Sequence, residues 1–152
     1  SLLRHKDATS PVSEFTKGGF QTIIPEIKDI KADKVKRVVV CSGKVYFDLL
    51  KARRAAAQKD VAIVRVEQLY PFPAEAFGKA IEQFPNAKEV VWCQEEPLNM
   101  GAWSYIAPRL EKVLDRRVRY AGRDRASSPA AGSKAMHYRE QKALIEAAFQ
   151  VS

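Results

Sequence analysis

Arg37-Val38-Val39-Val40-Cys41-Ser42-Gly43 joins an unbroken apolar run to a small-residue turn, and the residues after it place Tyr46, Leu49 and Leu50 on one helical face. A run of this length is strand-sized, and the change of period behind it reads as strand, turn, helix. Working along the chain, the same unit recurs. Val61-Ala62-Ile63-Val64-Arg65-Val66 forms the next strand and ends near Tyr70-Pro71-Phe72-Pro73, where two prolines forbid continuation. Pro73 is placed to open the following helix, whose apolar stripe is Phe77, Ala80, Ile81 and Phe84. Glu89-Val90-Val91-Trp92-Cys93 starts a third cycle, with a loop from Gln94 to Gly101 and a helix carrying Ile106, Leu110 and Leu114. A shorter strand around Val118-Arg119-Tyr120-Ala121, the polar loop Gly122 to Ser133 and a helix from about Lys134 to Phe149 complete a fourth.

Strands that alternate with helices and consist almost wholly of apolar residues belong in a parallel sheet buried on both faces. The expected fold class is therefore α/β: three layers, a mostly parallel sheet covered by helices on both faces. Residues 1–36 mix turn formers with a basic, weakly periodic stretch and are expected to be a connecting segment. Residues 37–152 then form a single domain, a size that buries one core without splitting.

Composition sets further bounds. No stretch approaches the roughly 20 consecutive apolar residues of a membrane span, so no membrane is expected as a partner. The start Ser1-Leu2-Leu3-Arg4-His5-Lys6 has neither an initiator Met nor the apolar core of a secretory signal, which leads us to expect a truncated or processed beginning. Cys41 and Cys93 match neither a disulfide framework nor a CxxC pattern, which suits a reducing compartment. The formal charge of +8 would permit nucleic-acid binding, since lysine and arginine supply its sequence-independent part. The basic residues are dispersed, however, over Lys28 to Arg37, Lys51 to Arg54 and Arg116 to Arg125, without a nucleic-acid motif. Solvated or subunit-facing charge is the expected role, with no nucleic acid as partner.

Chemistry in an open parallel sheet gathers beyond the carboxyl ends of the strands. Four loops qualify and should converge on one edge: Ser42-Gly43-Lys44, Glu67 to Tyr70, Gln94 to Gly101, and Gly122 to Ser133. Gly43 reads as a tight turn, because the upstream glycine of a phosphate loop is missing. Glu95 and Glu96 are adjacent, so they point to opposite faces while extended and cannot act as a pair; backbone or interdomain hydrogen bonding is their expected use. His137 has no metal-ligand partner at a usable spacing. Trp92, Trp103, Tyr70 and Phe72 are expected to pack in the core or at an interface. No catalytic, cofactor-binding or metal-ligating residue is assigned.

Two long stretches are distinctive: Asp60-Val61-Ala62-Ile63-Val64-Arg65-Val66-Glu67-Gln68-Leu69-Tyr70-Pro71-Phe72-Pro73 and Gln94-Glu95-Glu96-Pro97-Leu98-Asn99-Met100-Gly101-Ala102-Trp103. With Ser1 to Lys6, Tyr120-Ala121-Gly122-Arg123 and Ser127-Ser128-Pro129-Ala130-Ala131-Gly132-Ser133, they closely resemble the C-terminal domain of the thiamine-dependent 2-oxoglutarate dehydrogenase component, of the transketolase-like family. The resemblance covers essentially the whole chain. It implies an enzyme of the tricarboxylic acid cycle that uses thiamine diphosphate and magnesium to decarboxylate 2-oxoglutarate and succinylates the lipoyl group of a dihydrolipoamide succinyltransferase. It also implies that cofactor and metal are held by upstream domains, with the cofactor supplying the carbanion chemistry, so that the present fragment is inactive alone.

The resemblance further implies a role for this domain in buttressing its upstream neighbours and extending a homodimer. Gln94, Glu95, Glu96, Asn99, Gly101 and Trp103 are the expected contact residues, with Ser128, Pro129 and His137 nearby. The alternative is a regulatory module in which Arg53, Arg54, Arg123 or Arg125 binds a nucleotide or coenzyme A phosphate, for which the guanidinium fork is suited. The location implied is the bacterial cytoplasm or the mitochondrial matrix.

Overall fold

The computed structural model describes residues 21–24, 30–126 and 132–150. Among them lie five strands, β1 (Ile23–Ile24), β2 (Arg37–Cys41), β3 (Val61–Val66), β4 (Glu89–Pro97) and β5 (Arg119–Arg123), in one sheet of order β1-β3-β2-β4-β5. Four α-helices cover it: α1 (Val45–Ala55), α2 (Ala74–Glu82), α3 (Trp103–Leu114) and α4 (Lys134–Phe149). β2 pairs parallel with both β3 and β4, and β4 with β5, while β1 runs antiparallel to β3.

The period of two in each strand sorts its side chains to two cores. Val38 and Val40 join Ala62, Val64, Val90 and Trp92 beneath α2 and α3, whose Phe77, Ile81, Ile106 and Leu110 close that layer. Val39 and Cys41 turn the other way, joining Val61, Ile63, Val91 and Cys93 beneath α1 and α4, where Leu49, Leu50, Leu144 and Ala148 pack. A fully buried side chain such as Phe77 contributes about 1.5–3 kcal/mol relative to exposure. Both faces are therefore covered, as the apolar strand composition requires.

The structure departs from the sequence expectations at four places. Ile23–Ile24, in the segment read as a connection, adds an edge strand, and Thr22 O accepts the N–H groups of Glu67 and Gln68. Two residues are too few to show a period. β4 does not stop at Cys93 but continues to Pro97, with a register shift against β5 between Cys93 and Pro97. Polar residues there are held by side-chain bonds that no hydropathy pattern displays. Pro73 precedes α2 as its N-cap instead of opening it. Arg37, counted with the solvated charge, is 1% exposed: it is paired with Glu89 through its Nε (2.8 Å) and Nη2 (2.5 Å), and its Nη1 donates to the Ala147 and Ala148 carbonyls at the end of α4.

Candidate functional site

After β2 the chain turns into α1 on one face of the sheet, whereas after the adjacent β4 it turns into α3 on the other. Such a divergence opens a crevice at the carboxyl ends of the two strands. A hollow of about 440 Å³ occupies that position, lined by Ser42, Gly43, Leu69, Tyr70, Trp92, Gln94, Glu96, Gly101, Ala102 and Tyr105. Three of the four loops expected to converge do so here. Gly43, with φ at +77°, makes the tight turn into α1 that its residue type requires.

Gln94 organises this edge. Its side chain is 3% exposed; Oε1 accepts the indole N–H of Trp92 (2.9 Å) and the backbone N–H of Trp103 (3.1 Å). The amide Nε2 faces the carbonyls of Glu96 (3.1 Å), Pro97 (3.0 Å) and Met100 (2.9 Å). One amide thus ties the end of β4, the following turn and the start of α3 together. Gly101 completes the turn at φ +68°, close enough that an added Cβ would come within 3.0 Å of Glu96 Cβ.

The neighbouring side chains are committed in the same way. Trp103 stacks obliquely on Tyr120 with centroids 5.2 Å apart, and Tyr120 donates its hydroxyl to the Arg123 carbonyl at 2.7 Å. Burial pushes the Tyr120 phenol up to about 12. Asn99 exchanges bonds with the backbone of Ala126, its Nδ2 donating at 2.8 Å and its Oδ1 accepting at 3.0 Å. This pair links the third loop to the start of the fourth.

Arg123 gathers the opposite face. Its Nε donates to Glu140 Oε2 at 2.8 Å, Nη1 to the Glu95 carbonyl, and Nη2 to Gln141 Oε1 at 3.1 Å, with His137 Nδ1 at 3.3 Å. Gln141 Nε2 in turn donates to Glu95 Oε1 (2.9 Å) and Asp48 Oδ2 (3.0 Å). Glu95 therefore serves the α4 side while Glu96 lines the crevice on the other, as alternation along an extended strand dictates.

Of the nine expected contact residues, Gln94, Glu95, Glu96, Asn99, Gly101, Trp103 and His137 come together at the carboxyl edge, and Ser128 and Pro129 lie outside the described residues. The four arginines offered by the alternative reading as phosphate ligands do not form one group. Arg53 is 2% exposed and donates to Val61 O at the head of β3, which puts it and its neighbour Arg54 at the amino end of the strands. Arg123 ends β5 and is engaged as above, while Arg125 is exposed beyond it. The thiamine diphosphate and magnesium implied by the resemblance find no matching donor set here: the two loop carboxylates diverge, and no group of three His, Cys, Asp or Glu is placed to hold a metal among the described residues.

Sequence reasoning expected Tyr70 in the core or at an interface and did not single out Met136 or Tyr138. Tyr70 is 82% exposed, Tyr138 70% and Met136 44%. Tyr70 follows β3, and the other two stand in the first turn and a half of α4, where Lys134 to Arg139 are all exposed. All three belong to segments that follow a strand's carboxyl end. Tyr105 lies beside Tyr70 at 6.4 Å between ring centroids and carries Arg109 over its own face at 3.6 Å.

The family model described as 2-oxoglutarate dehydrogenase C-terminal matches residues 9–149. The chain is 50% identical over 98% of its length to the 2-oxoglutarate dehydrogenase E1 component of Cupriavidus necator. It is 52% identical over 96% to that of Haemophilus influenzae, and 45% identical over 99% to the mitochondrial 2-oxoglutarate dehydrogenase of Saccharomyces cerevisiae. In each case it spans 16% of the relative's length. A solved structure titled as a split-gene transketolase, an inactive β4 tetramer, superposes with a TM-score of 0.53 at 18% identity, covering 76% of this chain and 39% of that one. That likeness concerns the fold.

Proposed function

The chain belongs to the 2-oxoglutarate dehydrogenase C-terminal family, and on that footing we propose that it is the non-catalytic assembly domain of an enzyme that decarboxylates 2-oxoglutarate with thiamine diphosphate and magnesium. In this reading the cofactor and metal are bound by upstream domains, which supply the reacting groups, and the succinyl group passes to the lipoyl group of a dihydrolipoamide succinyltransferase. The enzyme is a homodimer in the bacterial cytoplasm or the mitochondrial matrix; no helix among the described residues is long and apolar enough to cross a membrane.

The observation that carries the reading is the placement of exposed apolar surface. Among the described residues, the large hydrophobic side chains left exposed are Tyr70, Met136 and Tyr138, and all three stand on segments at the carboxyl edge. Four polar side chains at that edge, Gln94, Arg123, Gln141 and Asn99, are already bonded within the chain. An edge that is internally bonded and exposes large apolar side chains at its rim is suited to be covered by protein. The first turn and a half of α4 makes the same point, since a helix without a packed face draws little stability from its own hydrogen bonds.

Cysteine labelling in the full-length enzyme tests this. Tyr70→Cys and Tyr138→Cys, treated with a maleimide and read by peptide mass, should be protected, while Lys51→Cys on the exposed side of α1 is labelled fully. Labelling of the two edge positions as fast as Lys51→Cys would show that no domain covers the edge.

A further inference from the structure

The opposite, amino edge of the sheet carries charge in place of apolar surface. Its loops are stitched together by the backbone: Lys36 N donates to Asp60 O (2.7 Å) and Lys36 O accepts from Lys88 N (2.9 Å). Asn86 Nδ2 donates to Asp33 O (2.8 Å), and Arg116 Nη1 to the Lys88 carbonyl (3.1 Å). These bonds draw Lys31, Lys34, Lys36, Lys59, Lys88 and Arg117 onto one side of the molecule, all of them exposed.

Two adjoining hollows open there. One, of about 430 Å³, has Ile30 in its wall and Lys31, Lys34 and Lys59 around it; the other, of about 200 Å³, is lined by Arg53, Arg54, Ala57, Gln58 and the same Lys59.

The ordinary explanation for cations at this edge is the helix dipole, because the four α-helices end here and a basic residue in a last turn is stabilising. It accounts for Arg53 and Arg54 in the last turn of α1 and Lys112 in that of α3. It does not account for Lys31, Lys36, Lys59 and Lys88, which lie outside the α-helices in the connections before β2, β3 and β4. Two acids near this edge are engaged by other cations: Glu89 pairs with Arg37 and Arg119, and Glu111 with Arg117, whose side chain stays 96% exposed. Lys31, Lys34, Lys36 and Lys88 have no ion-pair partner among the described residues.

We propose that the amino edge is a docking surface for an acidic protein surface carried by another polypeptide. The cations there are mostly lysines, hydrated point charges on flexible stems, which steer an oppositely charged protein into encounter without holding it in one geometry. Single-stranded nucleic acid fits less well, because the exposed aromatic side chains that would stack bases stand at the other edge, and a duplex is an outcome of the test below. The proposal rests on the assembly reading in that it takes the carboxyl edge as the one covered by the enzyme's other domains.

The test uses the full-length enzyme and fluorescent poly-L-glutamate as probe, at low and moderate salt. The triple variant Lys34→Glu/Lys36→Glu/Lys88→Glu should bind it about ten-fold more weakly, as expected when rim charges that steer association are reversed. A charge-matched variant elsewhere, Lys44→Glu/Lys51→Glu/Lys142→Glu, should lose less than about three-fold, and Lys34→Gln/Lys36→Gln/Lys88→Gln should fall between them. Equal losses in the two reversals, or no measurable binding by the parent enzyme, would overturn the proposal. So would tighter binding of a DNA duplex through the same lysines. A drop in the enzyme's assembled mass on reversing the edge lysines would also overturn it, by making the edge an internal contact. Protection at Tyr70 and Tyr138 is read separately, so failure of the assembly reading remains distinguishable.

Discussion

The side-chain carbonyl of Gln94 accepts the backbone N–H of Trp103 at 3.1 Å, so a residue in β4 fixes where α3 begins. Since the same side chain also serves Trp92 and faces the Glu96 and Pro97 carbonyls at the end of β4 and the Met100 carbonyl in the turn, its removal strands several buried groups at once. Gln94→Leu is expected to destabilise the chain by about 2–4 kcal/mol, the cost of leaving such groups unpaired. Gln94→Glu should be worse, because it places an oxygen against the three carbonyls. Urea unfolding of the purified domain measures both, and a loss below 1 kcal/mol for Gln94→Leu, on the same scale, would mean that water replaces the amide.

Gly122 is constrained by space. A Cβ there would stand 2.5 Å from the Tyr120 hydroxyl, 2.7 Å from Tyr120 Cζ and 2.9 Å from the Gln94 carbonyl. Gly122→Ala should cost about 1–3 kcal/mol, as overpacking does. Adding Tyr120→Phe removes the nearest atom but neither the ring nor the carbonyl, so the double variant should recover only part of the loss in the same unfolding measurement.

Arg37 joins the head of β2 to the end of α4 through Glu89 and the Ala147 and Ala148 carbonyls. Arg37→Met is expected to cost about 1–3 kcal/mol, because the Ala147 and Ala148 carbonyls lose their buried donor and Glu89 keeps only the longer contact with Arg119. Arg37→Lys should restore little, since an ammonium cannot reproduce the fork that reaches carboxylate and carbonyls together. Early hydrogen exchange at the end of α4 would accompany the loss.

Cys41 and Cys93 stand side by side in adjacent parallel strands, both fully covered. Burial pushes the Cys41 thiol well up and the Cys93 thiol up to about 12. Neither should react with iodoacetamide at pH 8 in the folded chain, and both should react once it is unfolded in guanidinium. The sign of the pH dependence follows. Above the pKa of an unfolded thiol, near 9, the folded state binds more protons than the unfolded one, so stability is fully present below that pH and falls as pH rises toward 12. Tyr120, raised by burial from 10 to about 12, acts in the same direction. A melting temperature that stayed level between pH 8.5 and 11 would contradict this.

Strand-forming runs at Arg37–Cys41 and Val61–Val66 were legible in the sequence to the residue, because a mostly apolar, β-branched run flanked by turn formers has little else to become. The α/β class, the covering helices and the family resemblance follow from patterns local to the chain or copied along its length. What depends on contacts across the fold was not legible: the edge strand at Ile23–Ile24, the extension of β4 to Pro97, and the commitment of Arg37, Gln94 and Arg123 to partners as many as 111 residues away. Residue type shows that an arginine or glutamine needs partners, but only packing says which ones it finds. For the same reason Arg53 and Arg123, similar as residues, end at opposite edges of the sheet, one beneath the head of β3 and the other beyond β5. The gathering of the exposed apolar side chains at the carboxyl edge and of the lysines at the amino edge arises only when parallel strands bring distant loops to a common side, and it is therefore a property of the tertiary structure alone.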